Sequence, residues 1–212
     1  MTTATKITVA RILMIPVFVM MAIYYGRSVA TGAPEDWMRW TAIIIFVVAA
    51  ASDGIDGYIA RRYNQKSQLG VILDPIADKG LLLAAIITLS LTDWGYQFPL
   101  WFPVLVIARD VIVVTGAILL QLLNGKVKVR PSWTGKVATV LQMIAIAAVM
   151  LQFDFFQQKF FFVGRELTAH FLDIPVYLAG LFTAISGFGY IMDGLAQLHA
   201  GGHGDPKPWH ES

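Results

Sequence analysis

The sequence predicts an all-α integral membrane protein of six transmembrane helices, and three observations predict it. Hydrophobic residues fill 57% of the 212 positions and charged residues only 14%, with a mean hydropathy of +0.63; a soluble domain carries about 25% charged residues. Six apolar segments are long enough, or nearly so, to cross a hydrocarbon core, which takes about 20 helical residues. The Lys and Arg residues in the short flanks gather on one side.

The segments run from Ile7 to Tyr25, Trp37 to Ala60, Leu69 to Leu91, Leu100 to Leu123, Thr134 to Phe153 and Ile174 to Leu198. The first lacks a cleavage site of the A-x-A kind and reads as a retained membrane helix. With no internal repeat and no long linker, residues 1–200 read as a single six-helix membrane domain. Residues 201–212, containing Gly, His and Pro, read as a disordered cytoplasmic tail.

Placing the N-terminus in the cytoplasm collects Lys6, Arg11, Arg61, Arg62, Lys66, Lys79, Lys126, Lys128, Arg130, Lys136 and Lys207 on one side. The other side receives only Arg27, Arg39, Lys159 and Arg165. The positive-inside rule then puts both termini in the cytoplasm of a multi-pass inner (plasma) membrane protein. Trp37, Trp40, Trp94 and Trp101 fall at the outer interface, where indole rings prefer to sit. A soluble helical bundle is the alternative.

A net charge of +2 argues against a nucleic-acid partner. The absence of cysteine excludes disulfides, thiolate catalysis and cysteine-bound metals. His170, His199, His203 and His210 are scattered, three of them at or in the tail. The aromatic stretch between Phe153 and Asp173 reads as an outer-interface segment.

The informative stretch is Ser52 to Lys79, SDGIDGYIARRYNQKSQLGVILDPIADK. Asp53 and Asp56 are three apart and Asp74 and Asp78 four apart, spacings that share one helix face. A short polar connection would bring the two acidic faces together. Near the centre of a span each carboxylate costs about 2.5–3.5 kcal/mol on insertion scales, and the four repel one another. Divalent cations relieve both, and carboxylate oxygens suit Mg²⁺, Mn²⁺ or Ca²⁺. Two ions about 4 Å apart would clamp the attacking and leaving oxygens of a phosphoryl displacement. Gly57 and Ala60 leave room for a base or pyrophosphate against the backbone, Gly70 does the same on the facing helix, and Arg61 offers a donor fork for phosphate. Glycine and alanine also serve plain helix packing in membranes.

Asp53-x2-Asp56-Gly57-x2-Ala60-Arg61-x8-Gly70-x3-Asp74-x3-Asp78 resembles the complete signature of the CDP-alcohol phosphotransferase family, and the similarity extends over most of the chain. The resemblance implies the six-helix bundle of that family, usually homodimeric. It implies a two-metal site of Mg²⁺ or Mn²⁺ held by Asp53, Asp56, Asp74 and Asp78, with Asp78 as general base. Gly57, Ala60, Arg61 and Gly70 would surround the CDP-lipid. The implied reaction moves a phosphatidyl group from CDP-diacylglycerol to an alcohol and releases CMP. No Ser–His constellation suggests a covalent intermediate.

The acceptor is read from weaker signals. Arg109 lies inside the fourth span, and an intramembrane arginine is a functional candidate; its structural alternative is a pair with an aspartate. Arg130 and Lys136 flank the start of the fifth helix, where helix N–H groups also favour phosphate. These three form the candidate acceptor site. Ile7-Thr8-x2-Arg11, Leu73-Asp74-Pro75-x-Ala77-Asp78-Lys79, Ser132-x2-Gly135-Lys136-x2-Thr139-x2-Gln142-Met143 and Ser186-Gly187-x2-Tyr190-x3-Gly194 resemble bacterial phosphatidylglycerophosphate synthases, whose acceptor is glycerol 3-phosphate. Those enzymes commonly have Asn at the place of Thr5, Arg-Glu at the place of Arg109-Asp110, and a second arginine at the place of Ala117. Arg109-Asp110-Val111 is closer to CMP-forming cardiolipin synthases, whose acceptor is phosphatidylglycerol. A divalent-cation transporter would also carry intramembrane carboxylates, but leaves Arg61 and the close-packing glycines unexplained. Asp78→Asn is expected to abolish turnover while retaining part of the nucleotide binding; wild-type CMP release by that variant would remove Asp78 from the role of base.

Overall fold

A computed structural model describes residues 3–62, 68–124, 133–152, 159–161 and 168–201, with side chains described for a subset of these. Among the described residues the chain forms α1 (Thr3–Ala30), α2 (Asp36–Arg62), α3 (Gln68–Leu91), α4 (Trp101–Asn124), α5 (Trp133–Leu151) and α6 (Asp173–Gly201). A short antiparallel ladder of β1 (Lys159–Phe161) and β2 (Thr168–His170) lies between α5 and α6. The ladder is an addition to the all-helical expectation; it falls within the aromatic stretch read as an interface segment.

Long apolar runs, that of α1 continuing through Pro16, give helices of 28, 27, 24, 24, 19 and 29 residues, or about 28 to 43 Å at 1.5 Å per residue. Among the described residues three stretches are long and apolar enough to cross a membrane: Lys6–Ala30, Trp133–Leu151 and Asp173–Leu195. Among the described residues of α3, Lys79–Leu91 is an apolar run of shorter length. All six helices turn large apolar side chains outward, among them Leu13, Ile44, Ile87, Val104, Val140 and Leu181. Such a surface suits lipid rather than water.

Helix α1 packs most extensively on α2 and α3, and α6 on α4 and α5, while α3 also touches α4 and α5. The α1–α2 turn is a Schellman cap: Ala33 N–H donates to the Ser28 carbonyl and Gly32 N–H to that of Val29, each at 3.0 Å. Gly32 supplies the left-handed φ of +76° that this cap needs. At Gly180 the reason for glycine is space. A Cβ there would stand 2.6 Å from Cζ3 of Trp101, so α4 and α6 approach closely because the side chain is missing.

One end of the bundle is tied by Gln152, just past α5. Its Oε1 accepts from Arg39 Nη1 of α2 at 2.7 Å and from the Tyr25 hydroxyl of α1 at 3.2 Å. Its Nε2 donates to the Trp94 carbonyl in the α3–α4 connection at 2.7 Å. Gln152 holds a left-handed φ of 48°, a sparsely populated setting for a residue with a side chain. Trp94, expected at the interface, is instead buried, donating from Nε1 to the Ala22 carbonyl and meeting Tyr25 edge to face at 4.5 Å between centroids. A single indole after an apolar run looks the same in sequence whether it faces lipid headgroups or a neighbouring helix. Nearby, the Tyr96 hydroxyl donates to Asp173 at the start of α6 at 2.7 Å. Burial first, and that bond second, push the phenol well above its ordinary range. The end of α1, the start of α2, the α3–α4 connection, the end of α5 and the start of α6 therefore meet at one end.

Gln152→Ala removes three hydrogen bonds and leaves partly buried partners unmatched. It is expected to cost about 2–4 kcal/mol, read as a lower midpoint of thermal unfolding in detergent; an unchanged midpoint would deny Gln152 this tying role.

Candidate active site

The interior faces of the helices change character along the bundle. On α1 the buried stripe reads Tyr25, Ala22 and Phe18, then Arg11 and Thr8. On α5 it reads Val149, Ile146 and Ala145, then Gln142, Ala138 and Gly135. On α6 it reads Val176 and Ala179, then Thr183 and Ser186. On α4, Phe102 and Val106 lead to Arg109 and Asp110, both mostly buried. Each stripe keeps the three-to-four-residue spacing of one helix face. In every case the apolar part lies toward the Gln152 end and the polar part away from it.

The same spacing carries the sequence-predicted residues. From the buried Ala42, Phe46 and Ala49 of α2 it leads to Asp53, Asp56 and Ala60; from Leu89, Ile86 and Leu82 of α3 it leads to Asp78 and Asp74. The structure places Asp53, Asp56, Gly57, Ala60 and Arg61 on the last turns of α2, and Gly70, Asp74 and Asp78 on the first turns of α3. These two helices touch one another, and both pack on α1. The side chains of those eight residues lie outside the described ones, as does Arg130. Lys136 is exposed on the first turn of α5. Among the described residues no group of three or more His, Asp or Glu side chains gathers.

Arg11 is fully buried on the face of α1 that packs on α2 and α3. A guanidinium does not lose its proton in a protein, so this is a fixed positive charge inside the bundle. Such a charge needs opposite charge or hydrogen bonds around it. The acids that α2 and α3 bring to this end are the four aspartates. In sequence Arg11 stands among the cytoplasmic cations and in the Ile7-Thr8-x2-Arg11 string, without a site role; its seven-residue step from Phe18 is the signal that it faces inward.

A second cluster joins α3, α4 and α6. Asp110 Oδ1 accepts from Arg109 Nη1 at 2.7 Å and from Lys79 Nζ at 3.2 Å. Arg109 Nη2 donates to Ser186 Oγ at 3.0 Å, and its guanidinium lies 5.6 Å from the centre of the Tyr190 ring. The aspartate paired with Arg109 is thus its own sequence neighbour. One turn nearer the Gln152 end, Gln142 Nε2 of α5 donates to Thr183 Oγ1 of α6 at 2.9 Å, and that hydroxyl donates to the Ala179 carbonyl at 2.6 Å. Lys79, Asp110 and Thr183 are not among the sequence-predicted site residues. Lys79 directly follows Asp78, which sets the cluster beside the acidic turns of α3.

An outward apolar surface around an interior that is ionic at one end defines a helical membrane protein with charged side chains buried inside its bundle. Residues 1–170 match the CDP-alcohol phosphatidyltransferase family, and the chain belongs to it. Among its relatives, the CDP-diacylglycerol–glycerol-3-phosphate 3-phosphatidyltransferase of Bacillus subtilis is 34% identical over 197 residues, spanning 87% of this chain and 91% of the relative. The enzymes of that name from Escherichia coli K12 and Shigella flexneri serotype 5b are each 34% identical over 170 residues, spanning 77% of this chain and 87% of theirs.

Thr183→Val keeps the shape at α6 but strands the buried Gln142 amide. A loss of about 1–3 kcal/mol is expected, and Gln142→Leu combined with Thr183→Val should cost less than the two single losses together. Strictly additive shifts in thermal unfolding would deny the pairing.

Proposed function

We propose that the chain transfers the phosphatidyl group of CDP-diacylglycerol to glycerol 3-phosphate, releasing CMP and forming phosphatidylglycerol phosphate. The observation that carries the reading is the 34% identity over 87% of the chain to an enzyme of that name, joined to the intact signature from Asp53 to Asp78. The donor set fits divalent cations: four carboxylates stand three and four residues apart on the adjoining turns of two touching helices, and oxygen ligands suit Mg²⁺ or Mn²⁺. Asp53, Asp56, Asp74 and Asp78 would hold two ions, which would supply charge neutralisation at the diphosphate and acidify the attacking hydroxyl.

The rest is done by the chain. The reacting hydroxyl oxygen of the acceptor bonds to the lipid-side phosphorus, its proton passes to Asp78, and the bond from that phosphorus to the bridging oxygen breaks, so that oxygen leaves on CMP. Gly57, Ala60 and Gly70 let the nucleotide approach the backbone, and Arg61 binds phosphate oxygens. Arg109, Arg130 and Lys136 are the candidates on the acceptor side. The reading includes six membrane spans, both termini and the site at the cytoplasmic face of the inner membrane, and a homodimer. It is supported by basic residues gathering at the Asp53 end, with Lys6, Arg61, Arg62 and Lys136 among them.

Purified protein in detergent should be given CDP-diacylglycerol with glycerol 3-phosphate, phosphatidylglycerol, inositol phosphate or serine, and the lipid product identified. Phosphatidylglycerol phosphate is expected, with turnover lost on chelation and regained with Mg²⁺ or Mn²⁺. Cardiolipin as the product would replace the proposed acceptor with phosphatidylglycerol, and metal flux without CMP release would replace the enzyme with a transporter.

A further inference from the structure

The outward face of α1 carries a groove that the proposed reaction does not use. Its volume is about 560 Å³, within the range of small-molecule sites. Ile15, Val19, Met20 and Ile23 line its apolar length, and Tyr24 and Arg27 close its outer end. These positions recur every three to four residues, so the groove follows one side of the helix. From Ile15 to Arg27 it runs about 18 Å at 1.5 Å per residue. A hydrocarbon core is about 30 Å deep, which makes one leaflet about 15 Å. The groove therefore has the length of a single acyl chain. A helix from a second copy would cross the whole core and need a seat nearly twice as long.

The outer end of the groove is polar and its charge is unbalanced. Arg27 is exposed in the last turn of α1. The acids nearest to it in the chain are engaged elsewhere. Glu35 Oε2 accepts from Trp37 Nε1 at 2.6 Å, and Asp36 lies 3.6 Å from Arg39 Nη2. Among the described residues no acid pairs with Arg27. Trp37 and Trp40, both exposed at the start of α2, mark the headgroup level at this end. A guanidinium and a phenol hydroxyl at that level, above an apolar channel one leaflet deep, match a phosphate above an acyl chain. The unpaired cation also sets the headgroup. A phosphatidylethanolamine offsets its own phosphate with an ammonium, whereas an anionic phospholipid brings the net charge that Arg27 lacks.

We infer that this face of α1 binds one anionic phospholipid, with an acyl chain in the groove and its phosphate on Arg27 and Tyr24. The second chain lies in the surrounding bilayer. The site is at the Gln152 end, away from the turns that bear Asp53, Asp56, Asp74 and Asp78. It is thus separate from the residues assigned to donor and acceptor, and it does not rest on the proposed reaction. The lipid it holds is a resident and not a substrate.

The test titrates the purified full chain in detergent with phosphatidylglycerol or with phosphatidylethanolamine of the same acyl chains, and counts bound lipid by native mass spectrometry. The wild type is expected to retain one phosphatidylglycerol more than Arg27→Gln, whose affinity at this site should fall about 5- to 10-fold with the loss of a charge-assisted bond. Met20→Trp fills the groove and leaves Arg27 in place, and it should lose the same lipid. Attraction of headgroups to a lone surface charge would survive that change, so loss in Arg27→Gln alone overturns the inference. Equal retention by the wild type and both variants overturns it too, as does phosphatidylethanolamine held as firmly as phosphatidylglycerol. A wild-type dimer that Met20→Trp dissociates would mean that a second copy fills the groove, and overturns it as well. Should either variant fail to fold, Tyr24→Phe replaces the first and Ile23→Trp the second, with the same expected losses.

Discussion

An ion buried in a helical bundle is tolerable only where opposite charge or hydrogen bonds meet it, and this chain meets that condition chiefly at one end. At the Gln152 end the interior is apolar and knotted by a neutral amide, two indole and phenol groups and one arginine that pairs across the rim. At the other end lie Arg11, Arg109 and Asp110, with Asp53, Asp56, Asp74 and Asp78 on the continuing stripes. Concentrating the ions makes them mutual partners, so that fewer stand alone in a low-dielectric interior.

The packing divides the chemistry. One group, α1 with α2 and α3, carries the signature and the buried Arg11; the other, α4 to α6, carries Arg109, Asp110, Ser186 and Lys136. The Lys79–Asp110 bond is the ionic tie between them among the described residues. A donor site on one group and an acceptor site on the other would let the acceptor pocket vary while the signature stays intact. In the sequence the signature matches without a gap, and of the three departures from the bacterial glycerol-phosphate enzymes Asp110 and Ala117 fall on α4 and Thr5 on α1.

Much of this was legible in the residues. Apolar runs located all six helices, and the spacing of Asp53 to Asp56 and of Asp74 to Asp78 placed them on helix faces because helical geometry is local. What the sequence hid is long-range. Gln152 gave no sign of joining α1, α2 and the α3–α4 connection, which lie 58 to 127 residues away from it. Trp94 read as an interface indole because nothing nearby in sequence marks the Ala22 carbonyl as its partner. The β1–β2 ladder rests on three paired positions in an aromatic stretch with no alternation to betray it. Asp110 marks in sequence only a departure from Arg-Glu and a likeness to cardiolipin synthases, although an acid inside an apolar run is costly and asks for a partner of its own.

Charge balance explains why such a site would depend on bound cations. Arg11, Arg61, Lys79 and Arg109 stand against Asp53, Asp56, Asp74, Asp78 and Asp110, an excess of one negative charge. A diphosphate and a phosphate monoester, the latter carrying about −1.5 to −2 at neutral pH, would be repelled from such a site. Two divalent ions reverse the sign, and the excess positive charge then roughly equals what both substrates bring. On the proposed reading the cations are thus needed to admit the substrates before any bond is made.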